Sequence, residues 1–377
     1  MLRITNLRNG TVLNRNNGVE RDDSLEFVVE GTCEAPGQVT VNGIAAARNN
    51  LVFRAPVRLT GAFNEIVART KNNYGEFQQS VKVVWDRKSF KRYSFFIDDN
   101  VFFLTDIHKD KSTSLFDHFY LNKLRELHKH YGTKFVLNLF YRNDHTPFVI
   151  KDFPDKYKSE WLDNSDWLKL SFHAYSEFPD RPYQNAAPQK LASDYDLVKS
   201  EVVRFAGEQS FQPPMVIHWA MLPPDNFHVL KERGVKVLSG AFIDAKTYVG
   251  EADRTEQVTD IGYYQDLGKS LYLRNNHVLY DFEHELVFVK GNACVNLLRK
   301  DEITATLKLA CEDPVYNETI DLATHEQYSF PYYHNYIPDH LERMEEAIRC
   351  VTERGYAPVF FHDGFLGNTA DVPGRRP

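Results

Sequence analysis

The stretch RYSFFIDDN, residues 92–100, runs through Tyr93, Phe95, Phe96 and Ile97 and then stops on two adjacent carboxylates, Asp98 and Asp99. Like charges side by side repel, and each is expensive to desolvate without a partner. A buried strand that ends this way implies that something uses both acids. Other apolar runs end in the same manner. TKFVLNLFY carries Asn138 and Tyr141, DWLKLSFHA ends at His173 with Glu177 beyond, and PPMVIHWA carries His218 and Trp219. TIDLATHE ends at His325-Glu326, and APVFFHDG at His362-Asp363. His173 and Glu177, four apart, share one face if the loop turns helically, which suits joint binding of one ion. Alternatively, two carboxylates drawn from Asp98, Asp99, Glu177 and Glu326 could cleave a glycosidic bond, their separation setting inversion or retention. Trp219 and the rings of HEQYSFPYYHNY (Tyr328, Phe330, Tyr332, Tyr333) offer flat faces for stacking on sugars. Each group also has a structural alternative. Asp98 and Asp99 could cap the next segment, His173 and Glu177 could be a surface pair, His218 could be a core histidine, and the aromatic loop could simply be packed.

These residues need elements to position them. Residues 1–87 hold short β-type segments at roughly ten-residue spacing, divided by turn formers such as Asn9-Gly10, Pro36-Gly37 and Asn42-Gly43. That pattern predicts an all-β, immunoglobulin-like sandwich, with a role as brace, lid or oligomer contact. From residue 88 the rhythm becomes strand then helix. Tyr120, Leu124, Leu127 and Tyr131 mark one helix face that stops at Gly132, and Ser193 with Asp196 predicts a capping box. Residues 244–318 interrupt the alternation, with SLYLRN and ELVFVKG reading as hairpin strands and DEITATLKLACED as a helix. The whole predicts an α/β fold, a (β/α)7-type distorted TIM-like barrel over 88–377 with an insertion. Active residues of such barrels sit at the C-terminal ends of the strands, which is where the ionisable residues fall.

On these motifs, residues 90–366 resemble the polysaccharide deacetylase (NodB-homology) barrel of the glycoside hydrolase/deacetylase superfamily. That family opens with a T-F-D-D-like strand end, matched by F-I-D-D. Its H-[ST]-x-x-H motif is matched by H-A-Y-S-E, His173 to Glu177, and its Leu-x-His motif loosely by F-F-H, Phe360 to His362. The resemblance implies a metal-dependent carbohydrate deacetylase or esterase. In it Asp98 is general base, His362 general acid, and Asp99 and His173 ligands of a divalent metal, zinc by family habit. Glu177 stands where the family has a second histidine, giving a harder donor set, and no R-x-P-x-G strand is recognisable. The implied partner is a carbohydrate, contacted by Asn138, His218, Trp219, His325, Tyr328 and Tyr332, with Glu326 as the catalytic acid to examine if the barrel is a glycosidase. A non-catalytic glycan-binding protein is the third expectation.

Composition narrows the field. A net charge of -7 argues against nucleic-acid binding. Four scattered cysteines, none in a C-x-x-C pair, imply buried thiols rather than a zinc ribbon or a disulfide framework. No signal pattern opens MLRITNLRNG and no apolar run approaches a membrane span. A cytoplasmic location is therefore expected, without membrane insertion, with homo-oligomer formation left open.

Overall fold

A computed structural model describes residues 1–73, 75–242, 262–263 and 266–370. The chain opens with ten strands: β1 (Leu2–Ile4), β2 (Thr11–Leu13), β3 (Val19–Glu20), β4 (Leu25–Cys33), β5 (Val39–Val41), β6 (Ile44–Ala45), β7 (Ala47–Asn49), β8 (Val52–Leu59), β9 (Phe63–Asn72) and β10 (Gly75–Trp85). Their period-2 alternation puts Leu25, Phe27, Val29, Phe53, Ala55 and Val57 into a core of residues between Ile4 and Trp85. One sheet runs β1-β4-β8-β7, with β3 added on β4.

The chain then alternates. β11 (Arg92–Asn100) leads into α1 (Phe102–Asp110) and α2 (Phe119–Tyr131), followed by β12 (Phe135–Phe140), β13 (Arg142–Asn143) and β14 (Phe148–Val149). Next come α3 (Lys158–Asp163), β15 (Leu168–Ala174), α4 (Pro188–Ala206), α5 (Phe227–Glu232) and β16 (Val237–Gly240). α6 (Leu267–Asn276), β17 (Val278–Asp281), β18 (Leu286–Lys290), β19 (Ala293–Cys294) and α7 (Lys300–Glu312) follow, then β20 (Thr319–His325), α8 (His340–Thr352) and β21 (Ala357–Pro358). The parallel sheet β15-β12-β11-β20-β19 has β11 at its centre, buried at all nine positions, as a strand covered on both faces requires. Backbone hydrogen bonds continue beyond its edges: Gln212 N to Leu170 O (2.9 Å), Ser239 N to Met215 O (2.6 Å), Gly291 N to Gly240 O (2.9 Å) and Asn292 N to Asp321 O (2.9 Å).

Several expectations are corrected. PPMVIHWA forms no strand. It runs irregularly and ends in a short 3-10 turn, His218–Ala220, with Trp219 (φ 67°) and Ala220 (φ 48°) left-handed. SLYLRN lies in α6, because the Asp266 side chain accepts from Lys269 N and starts a helix there. Ser193 lies inside α4, which begins earlier on Pro188, a residue suited to the first turn. Only Ala357–Pro358 of APVFFHDG pairs as strand, at the entry of β11. The second sheet, β16-β18-β17-β2-β10-β9-β5-β6, carries the hairpin of the expected insertion and strands of residues 1–87 together. The stretches 243–261 and 264–265 of that insertion lie outside the described residues. Among the described residues, no helix is long and apolar enough to cross a membrane.

Candidate metal centre

Asp98 and Asp99 sit in a β-bulge. Ile97 faces Leu137 and Asn100 faces Leu139, so β11 carries one residue more than β12 over the same span. In a regular strand the two carboxylates would point to opposite faces. Here Asp99 takes a left-handed backbone, φ 61°, which re-aims its side chain at a strain of about 1–3 kcal/mol. The amide of Asn100 makes the bulge tenable. Its Nδ2 donates to the carbonyl of Ile97 and, at 3.2 Å each, to those of Asp98 and Asn138. The chain then enters α1, whose first amides are held by Glu326: Val101 N and Phe102 N donate to Oε2 (2.7 and 2.9 Å) and Phe103 N to Oε1 (2.7 Å).

Both aspartates consequently meet His173. Asp98 Oδ1 lies 3.6 Å from Nδ1 and Asp99 Oδ1 3.1 Å from Nε2. His218 Nδ1 lies 3.3 Å from Asp99 Oδ1 and 3.1 Å from His173 Nε2. The outer nitrogens already have carbonyl partners: His173 Nδ1 faces Val216 O (3.4 Å) and His218 Nε2 faces Glu177 O (3.2 Å). With a proton on each outer nitrogen, two imidazole lone pairs and a carboxylate oxygen converge with no hydrogen between them. Asp99 Oδ1 is buried without a hydrogen-bond donor, while Oδ2 is oriented by Gln327 Nε2 at 2.9 Å.

This donor set fits a divalent metal. Four-coordinate zinc binds nitrogen and oxygen at about 2.0–2.2 Å, which puts neighbouring ligand atoms roughly 3.3 Å apart, and a set of two imidazoles and one carboxylate leaves a position open for chemistry. Asp99, His173 and His218 would hold such an ion, their ligand atoms all lying within 4.8 Å of one another. The carbonyl contacts at the outer nitrogens are the kind that fix a ligating ring's orientation. A second grouping, Asp281, Glu283 and His284, already has Lys269 Nζ 3.2 Å from Asp281.

The electrostatics divide the two acids. Burial, then the neighbouring Asp99, push the Asp98 carboxyl well above its ordinary range, against the hydrogen bond that Asn138 Nδ2 donates at 2.7 Å. Burial opposes charge on Asp99 as well, but the His173 and His218 rings hold its carboxyl well below that range when they turn an N–H toward it, the tautomer that a bound metal ion would displace. Burial lowers His173 to about 4, so its ring is neutral and can act as a ligand. His325 is also lowered by burial. Its Nδ1 lies 3.0 Å from Asn296 Oδ1 and 3.8 Å from Cys294 Sγ, which leaves Nε2 for other work.

The cluster opens into a cavity of about 350 Å³. Asp98, Asp99, His173, His218, His325, Glu177, Trp219, Tyr328 and Tyr333 all line it. The site residues expected from sequence therefore separate. Asp98, Asp99 and His173 meet, and His218, expected only as a substrate contact, stands where Glu177 was expected. The Glu177 carboxylate pairs with His145 Nε2 at 2.6 Å. Glu326 is fully buried under its three amides. His362 lies against Gln212 Nε2 (3.5 Å) and Lys236 Nζ (3.4 Å to its carbonyl), just before β16 begins, and does not line the cavity. Its segment pairs with the entry of β11, not its exit. Asn138 sits beneath Asp98. Tyr332 stacks on Phe102 and bonds Asp106 at 3.0 Å away from the cavity lining, and Phe330 is buried. Asn100 and Gln327 escaped sequence reasoning. Asn100 directly follows the acid pair and Gln327 follows His325-Glu326, so adjacency was the available signal.

No family model matches the chain, and no curated protein matches its sequence. Among solved structures it is similar to a peptidoglycan N-acetylglucosamine deacetylase, at 12% identity and a TM-score of 0.37, over 74% of this chain and 90% of that one.

Proposed function

We propose that the chain is a metal-dependent hydrolase that removes an acyl group from a sugar or polysaccharide. The observation that carries the reading is the convergence of Asp99 Oδ1, His173 Nε2 and His218 Nδ1, at 3.1–3.3 Å from one another, beside a second carboxylate, Asp98, held by Asn138. A divalent cation bound there would supply Lewis-acid chemistry, acidifying a water and polarising an acyl carbonyl. Asp98, oriented by Asn138, is the base that takes the proton of the attacking water. His325, held through Nδ1 by Asn296, keeps Nε2 as an acceptor opposite Asp98, so it can take from Asp98 the proton drawn off the water and pass it to the departing amine or hydroxyl, the role that sequence gave to His362. Trp219, Tyr328 and Tyr333 line the cavity in which the sugar would lie. The same reading takes residues 88–377 as a barrel, supported by the hydrogen bonds that continue the parallel sheet beyond its edges, and residues 1–87 as an immunoglobulin-like sandwich.

The test is acetate release from N-acetylglucosamine oligomers and from acetylated xylan. It is run on the purified chain as isolated, after exhaustive chelation, and after return of Zn²⁺. Release that vanishes on chelation and returns with the ion supports the reading. Full activity after chelation, or new reducing ends without acetate, would instead assign the carboxylates to glycosidic cleavage.

A further inference from the structure

We infer that the substrate is a chain of several sugar units, one in the cavity and others outside it on an aromatic platform built around Tyr332. This deepens the hydrolase reading above and rests on it. The segment after β20 divides its rings between two places. Tyr328 and Tyr333 line the cavity, while Tyr332 stands outside that lining and is 58% exposed. Single exposed rings are common and need no explanation. Tyr332 differs in being held. Its ring stacks on Phe102, with centroids 5.5 Å apart and planes 22° from parallel, an offset arrangement that aromatic pairs favour. The buried Phe330 tilts against it at 5.5 Å, and its hydroxyl donates to Asp106 Oδ2 at 3.0 Å. A ring backed by Phe102 and still more than half exposed turns its other face to solvent. Fixing an exposed side chain costs rotamer freedom, with little burial to offset it. A ligand gains from that order, because a ring already fixed has less freedom to lose on binding. The C–H face of a pyranose suits such a ring, with polar groups at its edge left for hydroxyls.

The platform continues the cavity. Tyr333 lies 5.9 Å from Phe102, so one ring separates the cavity lining from Tyr332. His145 packs against both Tyr333 (5.7 Å) and Phe102 (5.3 Å). Its Nε2 meets Glu177 Oε2 at 2.6 Å, and Glu177 lines the cavity. A polar pair therefore stands beside the step from one ring to the next, where the hydroxyls of a crossing sugar need partners. One ring contact farther, Phe119 at the start of α2 lies 5.2 Å from Phe330 and is 43% exposed. At about 350 Å³ the cavity itself is near the lower end of ligand pockets. A polymer with one unit at the metal ligands must leave it, and Tyr332 is placed to receive the units that do.

The test has a binding arm and a turnover arm, both on the full chain supplied with Zn²⁺. Binding is read by calorimetry in an Asp98→Asn background, whose slowed turnover leaves the sugar intact. The probes are the β-1,4-linked pentasaccharides of N-acetylglucosamine and of xylose, each beside its monosaccharide. In at least one series the pentasaccharide should bind about tenfold tighter than the monosaccharide. Tyr332→Ala should erase that gain without lowering the melting temperature, and Tyr332→Phe, which keeps the ring, should keep it. No gain with length in either series, a gain that survives Tyr332→Ala, or an equal loss in Tyr332→Phe would overturn the platform. So would a change in size-exclusion elution of Tyr332→Ala with pentasaccharide binding untouched, which would assign the ring to a contact between copies of the chain. In the turnover arm, Tyr332→Ala should raise KM for acetate release from the N-acetylglucosamine pentasaccharide about tenfold and leave kcat within about twofold. Absence of acetate release from every probe weighs against the hydrolase reading alone, because the binding arm decides the platform.

Discussion

Asp98 and Asp99 are neighbours with opposite tasks, and the difference comes from what each oxygen touches. Asp99 is clasped by two imidazoles and Gln327, while Asp98 has Asn138 and the cavity. Asp98→Asn should therefore keep the metal and lose about 10²–10⁴-fold in kcat, and His325→Ala should fall in the same range. His362→Gln should leave kcat within about twofold, since that ring lies off the cavity. A steady-state assay of the three variants checks all of these. At the rim, the Glu177 carboxylate raises His145 above its ordinary 6.5, against partial burial. The folded state holds this proton more tightly, so the stabilisation is full below about 6.5 and is lost as pH rises through the raised value. In an NMR titration, Glu177→Gln should return His145 toward 6.5; an unmoved midpoint would show that Glu177 is not its partner. Asp98, Asp99 and His173 were legible in the sequence because ionisable groups at the ends of apolar runs demand a use. His218 was not legible as a ligand, since its aim depends on the left-handed Trp219 and Ala220 after it, and neither residue type announces that conformation.

Two devices at the level of elements hold the site, a bulge and a helix start. Asn100 satisfies carbonyls that the bulge withdraws from the β11–β12 ladder. Replacing it by Ala leaves buried acceptors without donors, at about 1–3 kcal/mol, and frees Asp99 to leave its left-handed conformation. Asn100→Ala should thus lower both the melting temperature and the metal affinity, whereas an ordinary core truncation would lower only the first. Glu326→Ala strips three amides of their acceptor and should destabilise by roughly 3 kcal/mol or more, measured by urea denaturation. The strands β11, β12, β15 and β20 were legible from long apolar runs, and α2 from its 3.6-residue stripe. The misread elements, PPMVIHWA and SLYLRN, are short and apolar enough to suit either period. In SLYLRN a single Asp266 cap decided for helix, and PPMVIHWA ends in a turn with Trp219 and Ala220 left-handed.

Across the whole molecule the change of rhythm near Trp85 was legible, but the sheet that crosses it was not, because pairing between distant strands leaves no local signature. β2 sits between β10 and β17, with Leu279 opposite Thr11 and Tyr280 N bonded to Gly10 O at 2.9 Å. Asn368 reaches back to Asp86 Oδ1 at 2.8 Å. Expressing residues 88–377 alone should bare β17 as an unpaired edge, giving self-association in size-exclusion chromatography rather than a well-behaved, slightly less stable monomer. What the three converging donors hold decides the chemistry of the whole molecule. The direct measurement is calorimetric titration of the chelated full chain with Zn²⁺, beside Asp99→Ala, His218→Ala and Glu177→Gln. One ion per chain should bind the unaltered protein and Glu177→Gln, and binding should collapse in the other two. No stoichiometric binding by the unaltered chain, or loss of the ion in Glu177→Gln with retention in His218→Ala, would contradict it.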